Sequence, residues 1–126
     1  MIVGLGIDLV SIARIRGIWD RHGQRFAERI LTPDELCQLE RSHAPERFLA
    51  KRFAAKEAFS KALGTGMRGP VQWRAVGTKH DLWGAPQLVP DATLQPALTA
   101  RQVERLWLTL TDEQDHAMAC VVLESA

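Results

Sequence analysis

The chain has 126 residues, 46% of them hydrophobic and 25% charged, with a formal net charge of +1. That length suits one domain over residues 1–126 with an ordinary core, and the near-neutral balance argues against a nucleic-acid partner. No apolar run approaches the roughly 20 residues of a membrane span, so no membrane partner is expected.

The opening run Met1 to Val10 reads as a strand. Val3, Leu5, Ile7 and Leu9 take one face; Gly4, Gly6 and Asp8 take the other, which is left empty beside an acid. Asp8 also interrupts anything resembling a secretory leader, so a cytoplasmic location is expected. Ser11 caps a helix to about His22 with Ile12, Ile15 and Trp19 inward and Gly23 as its stop. Arg14, Ile18, Arg21 and Arg25 follow at i, i+4, i+7 and i+11, although Arg25 lies beyond Gly23. Arginines around an apolar residue suit an acidic amphipathic partner or a plain solvated face.

Thr32-Pro33-Asp34-Glu35 starts a second helix with a capping box, running to about Ser42. Pro45 and Glu46 open a long helix that Gly64 closes after Leu63. Its apolar residues lie on two sides, Phe48, Ala55 and Phe59 against Ala50, Phe53 and Ala54, so it is either central or at a subunit contact. Glu57 shares the second stripe, with Lys61 one turn on as a possible ion-pair partner. Strands are expected at residues 72–78 and 87–89, a helix at 94–105 interrupted near Pro96, and a final hairpin of residues 106–111 and 116–123.

Cys37 and Cys120 have no CxxC or Cys/His spacing and read as reduced and structural, and His22, His43, His80 and His116 show no metal spacing. Gly64-Thr65-Gly66-Met67-Arg68-Gly69 lacks a P-loop ending and follows a helix instead of opening one. Residues 1–69 hold twelve Lys and Arg against eight Asp and Glu, whereas residues 70–126 hold four against seven. An anionic ligand is therefore drawn to the first half. Two acids among glycines and cations fit magnesium with a phosphate better than zinc, because magnesium takes one or two carboxylates, waters and phosphate oxygens.

Three stretches carry a resemblance: Gly4-x-Gly6-Ile7-Asp8-Leu9-Val10 with Ile12-Ala13-Arg14-Ile15, Arg52-Phe53-Ala54-x-Lys56-Glu57-Ala58 with Lys61 and Gly64-Thr65-Gly66, and Leu108-Thr109-Leu110-Thr111-Asp112 to Ala117-x-Ala119. Together they resemble the holo-[acyl-carrier-protein] synthases, small bacterial members of the 4'-phosphopantetheinyl transferase superfamily. The likeness spans nearly the whole chain, is specific in residues 1–69 and is weak between about 70 and 105. It implies an α+β fold with an antiparallel sheet packed on helices, a homotrimer, and coenzyme A bound between subunits. The implied reaction moves phosphopantetheine from coenzyme A to a serine of apo acyl carrier protein for fatty acid biosynthesis, releasing adenosine 3',5'-bisphosphate.

The same resemblance implies a Mg2+ ion, with Mn2+ as the alternative, held by Asp8 and Glu57. Glu57 and Lys61 become the catalytic pair, with the base left open between Glu57 and a water. Coenzyme A would meet Lys61, Arg47, Arg52, Gly64, Thr65 and Gly66, and the carrier protein would meet Arg14, Ile18, Arg21 and Arg25. Two positions depart from the pattern: Asp112 stands where some relatives have histidine, and Gly84-Ala85-Pro86 where the family hairpin often reads Gly-Lys-Pro. The competing readings are a nucleic-acid-binding module using the Arg14 helix, and another magnesium-dependent phosphotransferase or hydrolase acting on a nucleotide.

Overall fold

A computed structural model describes residues 1–126. In chain order the elements are β1 (Ile2–Ser11), α1 (Ile12–His22), α2 (Gln24–Ile30), α3 (Pro33–Glu40), α4 (Pro45–Leu63), β2 (Val76–His80), β3 (Pro86–Pro90), α5 (Gln95–Ala100), β4 (Arg105–Asp112) and β5 (His116–Glu124). Short 3-10 turns lie at Trp73–Ala75 and Ala92–Leu94. A three-stranded antiparallel sheet has the order β1-β5-β4, and β2 and β3 form a separate antiparallel hairpin. The α+β architecture expected from the sequence is therefore present.

α4 is the organising element. Leu49, Ala50, Ala54, Ala55, Ala58, Phe59, Ala62 and Leu63 are buried, joining Val10, Ile15, Ala119, Val121 and Leu123 in one core. Full burial of a side chain such as Phe59 or Leu63 contributes roughly 1.5–3 kcal/mol. The two apolar sides of α4 are thus both satisfied within one chain. No helix is long and apolar enough to cross a membrane.

The empty face expected on β1 is filled by α4. A Cβ on Gly4 would fall 2.3 Å from the Ala62 carbonyl oxygen, and one on Gly6 would fall 1.9 Å from that of Ala58. Only glycine lets strand and helix backbones approach this closely. The apolar face is the exposed one: Leu5, Ile7 and Leu9 are 56–65% exposed.

α1 stops at Gly23 as expected, with φ 53°, and Arg25 lies off the Arg14 helix, on a seven-residue α2 that the sequence did not signal. Two further expectations change. Pro96 sits in the first turn of α5 instead of interrupting a longer helix, and residues 101–104 lead directly into β4. The residue 72–78 strand shifts later, with a 3-10 turn at Trp73–Ala75 before β2.

Candidate functional site

Asp8 projects from the glycine face of β1 towards α4, where Lys61 meets it. Lys61 Nζ donates to Asp8 Oδ1 at 3.1 Å and to the Ile7 carbonyl oxygen at 3.1 Å. The expected Glu57–Lys61 ion pair does not form, since the lysine turns to the strand instead. Asp8 Oδ2 is buried and has no hydrogen-bond partner. Glu57 sits one turn before Lys61, half-buried. Burial first, and the charge of Asp8 second, raise its carboxyl above the ordinary glutamate range, opposed by Lys61 and Arg14.

Two repelling carboxylates, one with an orphaned buried oxygen, favour a divalent cation between them. No group of three or more His, Cys, Asp and Glu residues gathers anywhere. The donor set thus suits a hard ion that completes its shell with waters and phosphate oxygens, as magnesium does. Arg14 lies near enough for its charge to act on Glu57, which puts one end of the basic helix beside the acids.

Behind this cluster lies a buried ionic knot that the sequence reading missed. Lys56 is 1% exposed, and its Nζ donates to Glu35 Oε1 at 2.7 Å and to the carbonyls of Trp73 and Val76 at 2.8 and 2.5 Å. Glu35 completes the expected capping box with Thr32 and also accepts from the Thr78 amide. The oddity assigned to Glu57 therefore belongs more to its neighbour: Lys56 enters the core, while Glu57 is partly wet. Desolvation is the largest influence on Lys56 and lowers its pKa, against the raising effect of Glu35.

The sequence matches the 4'-phosphopantetheinyl transferase superfamily over residues 4–121. The chain belongs to that superfamily. The holo-[acyl-carrier-protein] synthase of Laribacter hongkongensis is 50% identical over 124 residues, covering 98% of this chain and 99% of that protein. The crystal structure of the Neisseria meningitidis holo-[acyl-carrier-protein] synthase superposes with a TM-score of 0.95 at 46% identity, covering 99% of this chain and all of that one. A Bacillus anthracis holo-(acyl-carrier-protein) synthase in complex with CoA (3',5'-ADP) gives a TM-score of 0.84 at 35% identity over 100% and 99% of the chains.

In this 4'-phosphopantetheinyl transferase the other arginines expected to bind coenzyme A sit apart from the acids. Arg52 is only 4% exposed: it donates to Gln38 Oε1 at 3.1 Å, lies 3.6 Å from Glu35 and stacks over Phe48. It is therefore a buried, paired cation and not a free surface one. Its Nε has no hydrogen-bond partner, and the residue lines a cleft of about 320 Å³ with Phe48, Lys51, His80, Pro86 and Asp112. Arg47 is also committed, donating to Asp112 Oδ2 at 2.9 Å and to the carbonyls of Glu113 and Gln114. At about 100° per residue, Phe48 and Glu57 face opposite sides of α4. One chain consequently carries the acids and this cleft on opposite flanks.

Gly64 closes α4 with φ 80°, and Thr65 and Gly66 return their amides to the Ser60 carbonyl one turn beyond Lys61. Ile18 and Arg25, on different helices, line one groove of about 450 Å³ with Phe26, Arg29, Phe53 and Trp73. Arg14 and Arg21 are exposed on α1. Of the docking residues expected from the sequence, Ile18 and Arg25 thus line the groove, whereas Arg14, Ile18 and Arg21 share α1 and Arg25 stands on α2.

Proposed function

We propose that this enzyme transfers 4'-phosphopantetheine from coenzyme A to a serine hydroxyl of apo acyl carrier protein, releasing adenosine 3',5'-bisphosphate and serving fatty acid biosynthesis in the cytoplasm. The observation that carries it is the Asp8–Lys61–Glu57 cluster, with its orphaned carboxylate oxygen and raised glutamate. Asp8 and Glu57 would hold Mg2+, or Mn2+, which when bound neutralises charge on the pyrophosphate and on the leaving oxygen. Lys61 adds a point charge to the same phosphates. The serine oxygen forms a bond to the pantetheine-side phosphorus as the pyrophosphate P–O bond breaks, and the hydroxyl proton passes to Glu57 or to a water beside it.

The flank opposite the acids supports a subsite for the nucleotide end. Lys51 and Arg52 supply positive charge there, Phe48 and Pro86 supply apolar walls, and Arg47 is paired with Asp112. Because one chain holds acids and cleft on opposite sides of α4, a complete site needs the acids of one copy and the cleft of another. The exposed sheet face of Leu5, Ile7, Leu9 and Trp107 gives such copies an apolar contact. A homotrimer is the assembly we propose. Arg14, Arg21 and Arg25 around Ile18 receive the acidic carrier, and Gly64, Thr65 and Gly66 shape the end of the phosphate site near Lys61.

Chromatographic release of adenosine 3',5'-bisphosphate tests this reading. Release should need coenzyme A, a divalent cation and apo carrier protein together. Nucleotide turnover without a carrier would instead indicate a hydrolase.

A further inference from the structure

Asp112 places an anion inside the cleft that is proposed to receive one. Its Oδ2 accepts from Arg47 at 2.9 Å, and its Oδ1 lies 3.8 Å from Lys51 Nζ. Arg47 also donates to the Glu113 and Gln114 carbonyls at 2.8 and 3.0 Å, so the guanidinium that holds the carboxylate is itself tied to the β4–β5 turn. The Lys51 contact is beyond hydrogen-bond reach and is the weaker of the two. The other cation lining the cleft, Arg52, already shares the buried Glu35 carboxylate. Lys51 is therefore the cation most available to a ligand, and Asp112 competes for it.

We propose that Asp112 is a specificity-determining residue that tempers affinity for the 3'-phosphate of the nucleotide, by drawing Lys51 into an internal ion pair that the phosphate must replace. This rests on the proposed function, which puts the nucleotide end of coenzyme A in this cleft. Phosphate approaching Lys51 meets a carboxylate of like charge that Arg47 holds in place, which weakens binding without touching the transfer step. His80 shares the cleft, and its pKa is lowered by burial, then by Arg52 and Lys51, against Asp81, so it adds little positive charge near neutral pH.

Asp112→Asn tests the idea, since an asparagine oxygen still accepts from Arg47 and the two backbone contacts of the turn remain. KM for coenzyme A should fall about three- to fivefold, the scale of an exposed ion pair, with kcat unchanged. KM for dephospho-coenzyme A, which lacks the 3'-phosphate, should stay the same, and high salt should shrink the difference. Calorimetry with adenosine 3',5'-bisphosphate against adenosine 5'-monophosphate reads the same contrast without turnover. It therefore decides the role of Asp112 even if pantetheine transfer fails. A rise in KM for coenzyme A, an equal change for both substrates, or a wild type that binds both nucleotides alike would overturn the proposal.

Discussion

Gly6→Ala probes the tightest approach made at any glycine of the chain. An alanine Cβ would lie 1.9 Å from the Ala58 carbonyl oxygen, 2.7 Å from the Ala62 nitrogen and 3.0 Å from the Ala58 carbonyl carbon. Non-bonded heavy atoms want about 3.5 Å, so α4 must retreat by roughly 1.5 Å. All three obstacles are backbone, so no rotamer relieves the clash, and the cost belongs at the upper end of overpacking, about 3 kcal/mol. For a domain of this size that is a fall in Tm of roughly 10 °C. Ala58 and Ala62 directly follow Glu57 and Lys61, so the same retreat pulls both away from Asp8. A misplacement of about 1 Å at a reacting centre costs on the order of 100-fold in rate. Thermal unfolding followed by circular dichroism, with carrier-protein turnover below the transition, measures both effects. Gly17→Ala is the control, because its Cβ meets only Arg21 Nη1 at 3.9 Å. There a helical alanine should be neutral or stabilising by about 0.5–1 kcal/mol. Wild-type Tm and turnover in Gly6→Ala would refute this account of the β1–α4 contact.

Glu57 makes stability depend on pH. Its carboxyl is raised by burial and then by Asp8, so the folded chain binds this proton more tightly than the unfolded chain. That contribution is complete below the ordinary glutamate pKa and is lost as pH rises through the folded value. In chelator, urea midpoints should decline across that window relative to Glu57→Gln, and magnesium should restore stability at neutral pH. An equal magnesium effect in wild type and Asp8→Asn would contradict the site. Lys56→Met leaves the buried Glu35 with Arg52 as its one remaining ion-pair partner and should cost about 3 kcal/mol, part of it recovered by adding Glu35→Gln; a double variant no more stable by urea titration would rule out the pairing. Arg14→Glu should raise KM for the carrier protein about tenfold at low salt and converge on wild type near 0.5 M salt. An unaltered KM at low salt would remove the basic face from the carrier site.

The sequence made the helix boundaries legible where side chains cap them. Thr32 and Glu35 form the expected capping box, and Gly23 and Gly64 stop α1 and α4. α2 was missed because it has seven residues and no side-chain cap. The alternation of β1 was readable, but not which face pointed inward: apolarity normally marks the core, whereas here glycines face α4 and leucines face solvent. Asp8 and Lys61 lie 53 residues apart, so no local pattern shows their contact; the resemblance to known enzymes implied only that both serve one site. Lys56 left no signal, because a lysine among alternating charges and alanines reads as surface. Its burial depends on Glu35, Trp73 and Val76 arriving from distant segments. Likewise, nothing local tells that Arg47 grips the β4–β5 turn.

The most direct measurement of the transferase is the intact mass of an apo acyl carrier protein after incubation with this protein, coenzyme A and magnesium, alongside Glu57→Gln and chelator controls. A gain of roughly 340 Da, the phosphopantetheine group, that disappears in both controls is the predicted result. No gain with any of several carrier proteins, from a sample with a cooperative unfolding transition, would contradict the account and leave only the fold in common with its relatives.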